Sequence, residues 1–162
     1  MQLKINLSIA MMLVLLAQSL LGSAPVGRYT NETGSTLIAG STQVKDTVTG
    51  LIWQRAYGSS KTWSASAAAG SAQAYCAQLV IGSQGAGSWR MPTINELSTL
   101  VDVTASSGAT IDRTAFPGTP ANYFWSSTVY QPSASYAWLV FFDYGSVSTS
   151  SVSRTSYVRC VR

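Results

Sequence analysis

Cys76 and Cys160 are the only cysteines among 162 residues. One lies near the middle of the chain and the other next to its end, so a bond between them would tie the terminus of any fold to its centre. Whether they pair depends on the compartment. Lys4 precedes an apolar run from Ile9 to Leu21 that is broken only by Gln18 and Ser19, and the small residues Gly22, Ser23 and Ala24 follow. That is the pattern of a secretory leader, and the run is too short and too polar at its end for a membrane span. Pro25 disfavours cutting after Ala24, which puts the expected cleavage between Ala17 and Ala24. No cysteine follows the run to accept a lipid. The mature protein is expected to be secreted, periplasmic or at the cell surface, with no stable membrane span after cleavage. In such an oxidising place two cysteines bond. A bridge closing a loop of about 80 residues removes about 4 kcal/mol of unfolded-state entropy in the chain-entropy model.

Beyond a leader of residues 1–24 the chain has the length of one domain, enough for a single core. Ten Lys and Arg face six Asp and Glu, a net charge of +4 spread along the sequence. That is too weak and too dispersed for nucleic-acid binding. Histidine is absent, which removes the commonest general base and the commonest transition-metal ligand.

Residues 25–43 are rich in Thr, Ser and Gly, and predict a loosely structured segment with at most a short strand near Leu37 and Ile38. Val44-Lys45-Asp46, then Thr49-Gly50, then Leu51 to Gln54 reads as a hairpin with Gly50 in its turn and Trp53 facing the core. Thr62 or Ser64 can cap a helix carrying Ala68, Ala72, Tyr75, Cys76 and Leu79, with Gly82 to end it. A second helix is signalled by the Thr93-x-x-Glu96 capping box, with Ile94, Leu97, Leu100 and Val101 as its apolar stripe. After residue 104 short strand-like runs alternate with Ser/Gly/Pro loops. Strands are expected at Tyr123 to Val129, Tyr136 to Asp143, Ser146 to Ser151 and Tyr157 to Val161. Both faces of the second of these look covered, as in a central strand. Helices ahead of hairpin-connected strands give an α+β order.

Five tryptophans are too many large rings to leave exposed on a small domain, so Trp53, Trp63, Trp89, Trp125 and Trp138 are expected in the core. Arg90 is expected to hold a loop through carbonyl or carboxylate contacts, and Glu96 to cap. Asp102 and Asp112 make a conceivable carboxylate pair, but no nucleophile or metal cluster accompanies them. The acidic residues are scattered, and neither Glu-Pro-Asn nor Trp-Asn-Asp occurs, so no calcium or other metal and no cofactor is expected.

The segment Tyr130 to Ser156 has a different character. Tyr130, Ser133, Ser135, Tyr136, Asp143, Tyr144, Ser146, Ser148, Ser150 and Arg154 have the composition of an antibody paratope, in which Tyr gives rigid amphipathic contact area and Ser gives adaptable hydrogen bonding. These ten are the candidate ligand-binding residues. A polar hairpin facing solvent would look the same.

Read in order, Asp46-x-x-Thr49-Gly50-Leu51-x-Trp53, Cys76, Trp89-Arg90-Met91-Pro92-Thr93-x-x-Glu96-Leu97, Phe124-Trp125-Ser126-Ser127, Ala137-Trp138-x-Val140 and Tyr157-Val158-Arg159-Cys160-Val161 together resemble the Lcl C-terminal domain family of bacterial collagen-like adhesins. The likeness runs over 44–162, with Met91 where the family often has Leu. It implies a C-type-lectin-like fold with two helices packed on a mostly antiparallel twisted sheet. It also implies export and a role in adhesion to a protein or glycan ligand. Lectin-like domains also serve as the variable proteins of diversity-generating retroelements, whose variable codons lie near the C-terminus. The expectation is therefore a binding domain and not an enzyme, with Arg154, Arg159 and Arg162 as a small basic patch open to sulfated glycans. The rivals are a structural subunit of a surface assembly and a formylglycine-generating-enzyme-like oxidase, which would need reactive cysteines.

Overall fold

The computed structural model describes residues 24–162, so the leader expectation lies outside the described residues except for Ala24. Strands β1 (Tyr29–Thr30), β2 (Gln43–Asp46) and β3 (Ile52–Gln54) form an antiparallel sheet in that order. Then come β4 (Gly58–Lys61), α1 (Ala72–Gln78) and α2 (Ile94–Ser98), followed by β5 (Tyr123–Val129), β6 (Tyr136–Phe141), β7 (Ser146–Ser151) and β8 (Ser156–Val158). The second sheet has the order β4-β8-β5-β6-β7. Its pairings are antiparallel except β5 with β8, where Phe124 lies opposite Tyr157. Among the described residues the fold is α+β, with mostly antiparallel sheets and two small helices.

Side chains alternate across a strand, and here each face of the larger sheet has its own apolar cluster. Phe124, Val140 and Phe142 enter one with Val44, Trp53, Leu97, Leu100, Ile111, Phe116 and Val161. Trp125, Ala137, Leu139 and Val158 enter the other with Trp63, Cys76, Trp89 and Cys160. That double burial is why β6 reads as apolar on both faces. Four of the five tryptophans are buried. Trp63 donates its indole N–H to the Ser126 carbonyl at 2.8 Å and Trp125 donates to the Lys61 carbonyl at 2.9 Å. Trp138 departs from expectation. It is only half-buried, because β7 beside it lies at the sheet's edge, and its ring meets Tyr130 edge-on at 5.6 Å.

The first helix is shorter than its apolar spacing predicts. Ser71, and not Thr62 or Ser64, is the cap, its hydroxyl accepting the Ala74 N–H at 3.2 Å. Gly70 before it has φ +81, in the left-handed region, where a helix cannot be continued. The helix stops at Leu79, and Gly82 lies in the turn that closes Ile81 on Gln84. The second helix has the predicted capping box in full, with Leu97 buried behind it. No strand forms at Leu37 or Ile38, and the early strand is β1, eight residues sooner, where Tyr29 packs its ring edge-on against Phe116 at 5.2 Å.

The C-terminus is threaded through the middle of the molecule. Gln54 donates its amide to the Cys160 carbonyl, Ile52 to that of Arg162, and Arg90 and Val161 exchange both amide bonds. Cys76 on α1 is disulfide-bonded to Cys160, with both cysteines fully buried. Arg159 is also wholly buried, which removes it from the basic patch expected with Arg154 and Arg162. Its guanidinium donates to the Gln54 and Arg55 carbonyls and to the Thr119 hydroxyl, and lies over the Phe116 ring at 4.5 Å. Burial pushes it down to about 9, still charged at neutral pH. Arg162 is ion-paired with Glu32.

Candidate ligand surface on the β5–β6–β7 sheet

From Asn122 to Val152 the only charged residue is Asp143. A surface built there offers shape, ring faces and hydroxyl groups, and almost no charge. β7 pairs with β6 in unbroken register, Ser146 opposite Phe141 and Ser151 opposite Tyr136. Cross-strand partners share a face. Ser146, Ser148 and Ser150 therefore stand on the side of Phe141, Leu139 and Ala137, while Val147, Thr149 and Ser151 stand with Val140, Trp138 and Tyr136.

The first face carries an aromatic group. The Tyr123 ring stacks on Phe141 at 4.2 Å with 18° between planes, and Phe141 meets Tyr144 edge-on at 5.4 Å. Tyr144 is 75% exposed and Tyr123 41%. Beside them Ser146 and Ser148 are exposed. The turn that presents Tyr144 is held closely. Gly145 has φ +67, and a Cβ there would lie 2.6 Å from Val101 Cγ1. The Thr110 amide and hydroxyl both donate to the Phe142 carbonyl.

The ten candidate residues do not form one patch. Tyr144, Ser146 and Ser148 come together on the first face. Tyr136, half-exposed, lies on the opposite face at the Tyr130 and Trp138 end, while the exposed Val147 stands on that same face four residues along, opposite Val140. Ser133, Ser135 and Arg154 sit at the far end of the hairpin, where the Val152 amide donates to the Ser135 carbonyl. Six residues of strand place that end about 20 Å from the Asp143–Tyr144 turn. Ser150 is near it, opposite Ala137. Tyr123 and Phe141 were outside the candidate set because each reads as an ordinary strand aromatic. Only the β5–β6 register, Tyr123 opposite Phe141, reveals the stacked pair.

The Val152–Ser135 bond also fixes which backbone groups of β7 are free. Hydrogen-bonded pairs alternate along an antiparallel ladder, so Ser150, Ser148 and Ser146 bond to β6, and Val147, Thr149 and Ser151 turn their amides and carbonyls outward from the sheet's edge, where the Ser151 carbonyl accepts the Arg154 amide.

Behind this surface the signature residues hold the frame. The register of β5 shifts between Trp125 and Val129. In that irregular stretch the Ser127 amide and hydroxyl donate to the Pro92 carbonyl, and the Thr128 hydroxyl accepts the Ile94 N–H at the start of α2. Arg90 binds Glu96 in two parallel hydrogen bonds of 2.8 and 2.7 Å. With the Thr93 amide they hold the Glu96 carboxyl well below its usual range, at about 2.

Other features are already occupied. A cavity of about 460 Å³ is lined by Gln54, Arg55, Leu79 and Ile81, but the Arg55 guanidinium donates to carbonyls of Ile38, Ser41, Thr114 and Ala115. Asp102 and Asp112 each accept from their own turns, Asp102 from Thr104 and Asp112 from Thr114 and Ala115. Among the described residues no group of three or more His, Cys, Asp or Glu could hold a metal ion. No described helix is long and apolar enough to cross a membrane.

No curated protein matches the sequence. A family profile described as the Lcl C-terminal domain matches residues 42–162, which takes in every strand from β2 onward, both helices and the disulfide. The chain belongs to the Lcl C-terminal domain family.

Proposed function

We propose that this protein is an exported binding domain of adhesion type, with a C-type-lectin-like fold, that recognises a protein or a glycan. Its contact surface is the β5–β6–β7 face around Tyr123, Phe141, Tyr144, Ser146 and Ser148. The observation that carries this reading is the exposed aromatic group, stacked and flanked by hydroxyls, on a sheet whose central strands β5 and β6 are packed between two apolar clusters. Stacked rings bring contact area at little cost in side-chain entropy, and serine hydroxyls adapt to whichever donors and acceptors meet them. The neutrality of the surface favours an uncharged glycan or a polar protein face over a polyanion. Family membership supports an adhesion role. Exposed side chains on a backbone fixed from behind can be exchanged at small cost to folding, which also suits a C-terminal segment diversified by a retroelement.

An enzymatic role is the weaker reading. Both cysteines are joined to each other, which leaves no thiol for formylglycine-type oxidation, and the buried carboxylates are taken up by turns and ion pairs. The test compares two triple variants, Tyr123→Ala/Tyr144→Ala/Ser146→Ala and Tyr130→Ala/Tyr136→Ala/Val147→Ala, with the parent on glycan arrays and against surface proteins. The first should lose about tenfold or more in affinity, as aromatic anchors do, with its melting transition close to the parent's. Loss confined to the second would move the site to the opposite face. Full retention by both would leave the structural-subunit reading as the better one.

A further inference from the structure

Asp112 is a buried carboxylate, 6% exposed, with no salt bridge to a side-chain cation among the described residues. The ion pairs among the described residues join Arg28 to Asp46, Arg90 to Glu96 and Arg162 to Glu32. The neighbouring Arg113 turns its guanidinium to the Ser107 carbonyl. Asp112 Oδ1 accepts the Thr114 and Ala115 amides at 2.9 and 2.8 Å. Among the described residues Oδ2 accepts one group, the backbone nitrogen of Ala24, at 3.0 Å. A carboxylate this little exposed is a natural partner for a cation placed beside it. The atom set against this one belongs to the residue that follows Gly22-Ser23, the small residues where a leader peptidase cuts. Pro25 disfavours the next bond along.

We propose that the leader is removed at the Ser23–Ala24 bond and that the freed α-ammonium of Ala24 is the cation for Asp112. Water adds across the amide, the Ser23 carboxylate departs with the leader, and the Ala24 nitrogen takes up protons to become an ammonium, charged at neutral pH. The nitrogen already occupies the hydrogen-bonding position, so cutting converts an amide contact into an ion pair without moving the chain. The pair fastens the N-terminal strap. Four residues on, Arg28 reaches Asp46 at 3.1 Å and the Thr99 carbonyl at 2.6 Å, and Tyr29 then covers Phe116. Processing thus completes the packing of the N-terminal segment on the larger apolar cluster.

This inference rests on the export reading, and the two fail differently. The full chain is expressed in an exporting bacterial host, and the secreted or periplasmic product is analysed by intact mass and N-terminal sequencing. The expected product is residues 24–162 with Ala24 first. An uncut, retained chain would overturn export and the proposal together, whereas a cut at any other bond would overturn the proposal alone. A second measurement takes the protein beginning at Ala24 and the same protein with one glycine placed before it, each with Asp112 and with Asp112→Asn. The added glycine should lower the melting temperature by a few degrees when Asp112 is present and leave it nearly unchanged in the Asp112→Asn background. An equal shift in both backgrounds, or no shift in either, would show that no ion pair forms. If the Asp112→Asn variant does not fold, acetylation of Ala24 in the native protein must reproduce the loss seen with glycine, or the proposal falls.

Discussion

Trp125 and Trp138 differ at the level of single residues in a way their sequence settings hide, because both stand in strands between small and apolar neighbours. Trp125 is fully buried, with its indole N–H bonded to the Lys61 carbonyl. Trp138 points to the half-covered side of the outer strands. Trp125→Ala should therefore cost about 3 to 5 kcal/mol, and Trp138→Ala about 1 to 2 kcal/mol from the smaller apolar area it buries. Chemical denaturation of the two variants measures both. Equal losses would contradict the half-buried environment of Trp138. Arg159 is the residue whose role the sequence conceals most. A terminal arginine beside two others suggests a surface charge, and its wholly buried position follows only from β8, which runs between β4 and β5 and ends just before it.

Among the elements, α2 is a helix of five residues, too short to be stable by itself, and is held from outside. Its capping box was legible in Thr93-x-x-Glu96, since the motif is local. The partners that fix it to the sheet, Ser127 and Thr128 in the irregular part of β5, come from more than thirty residues away in the sequence. Glu96 joins the two, as a cap within the helix and as the ion-pair partner of Arg90. Its carboxyl is held at about 2 when folded, against an ordinary value near 4.5. A lowered folded value means that its stabilisation is present in full above the ordinary value and is lost as pH falls from there toward 2. The pair is partly exposed to solvent, so its contribution is below about 1 kcal/mol. Melting temperatures of the parent and Glu96→Gln should differ at pH 7 and converge as pH is lowered from 5 to 2. A constant difference over that range would show that the carboxylate charge has no part in it.

For the molecule as a whole, the decisive link is the return of the C-terminus to its interior. Cys160, Val161 and Arg162 bond to β3 and to Arg90, and the disulfide adds α1. Free-thiol labelling of the native protein should find none. Cys76→Ala/Cys160→Ala should lower stability by about 2 to 5 kcal/mol and release both the last strand and the helix in hydrogen exchange. Two reactive thiols in the native protein would refute the bridge. What the sequence determined alone was whatever is encoded between near neighbours, namely the β2–β3 hairpin, the α2 cap, the strand periods and the cysteine pair. The tertiary structure decided which face of each strand meets water. It placed β7 at an edge, put Tyr123 beside Phe141, divided the tyrosines between two sides of one hairpin and buried Arg159. Those outcomes depend on register and strand order, which arise from pairings between distant segments, and a pattern of period two names two faces without saying which of them will be covered.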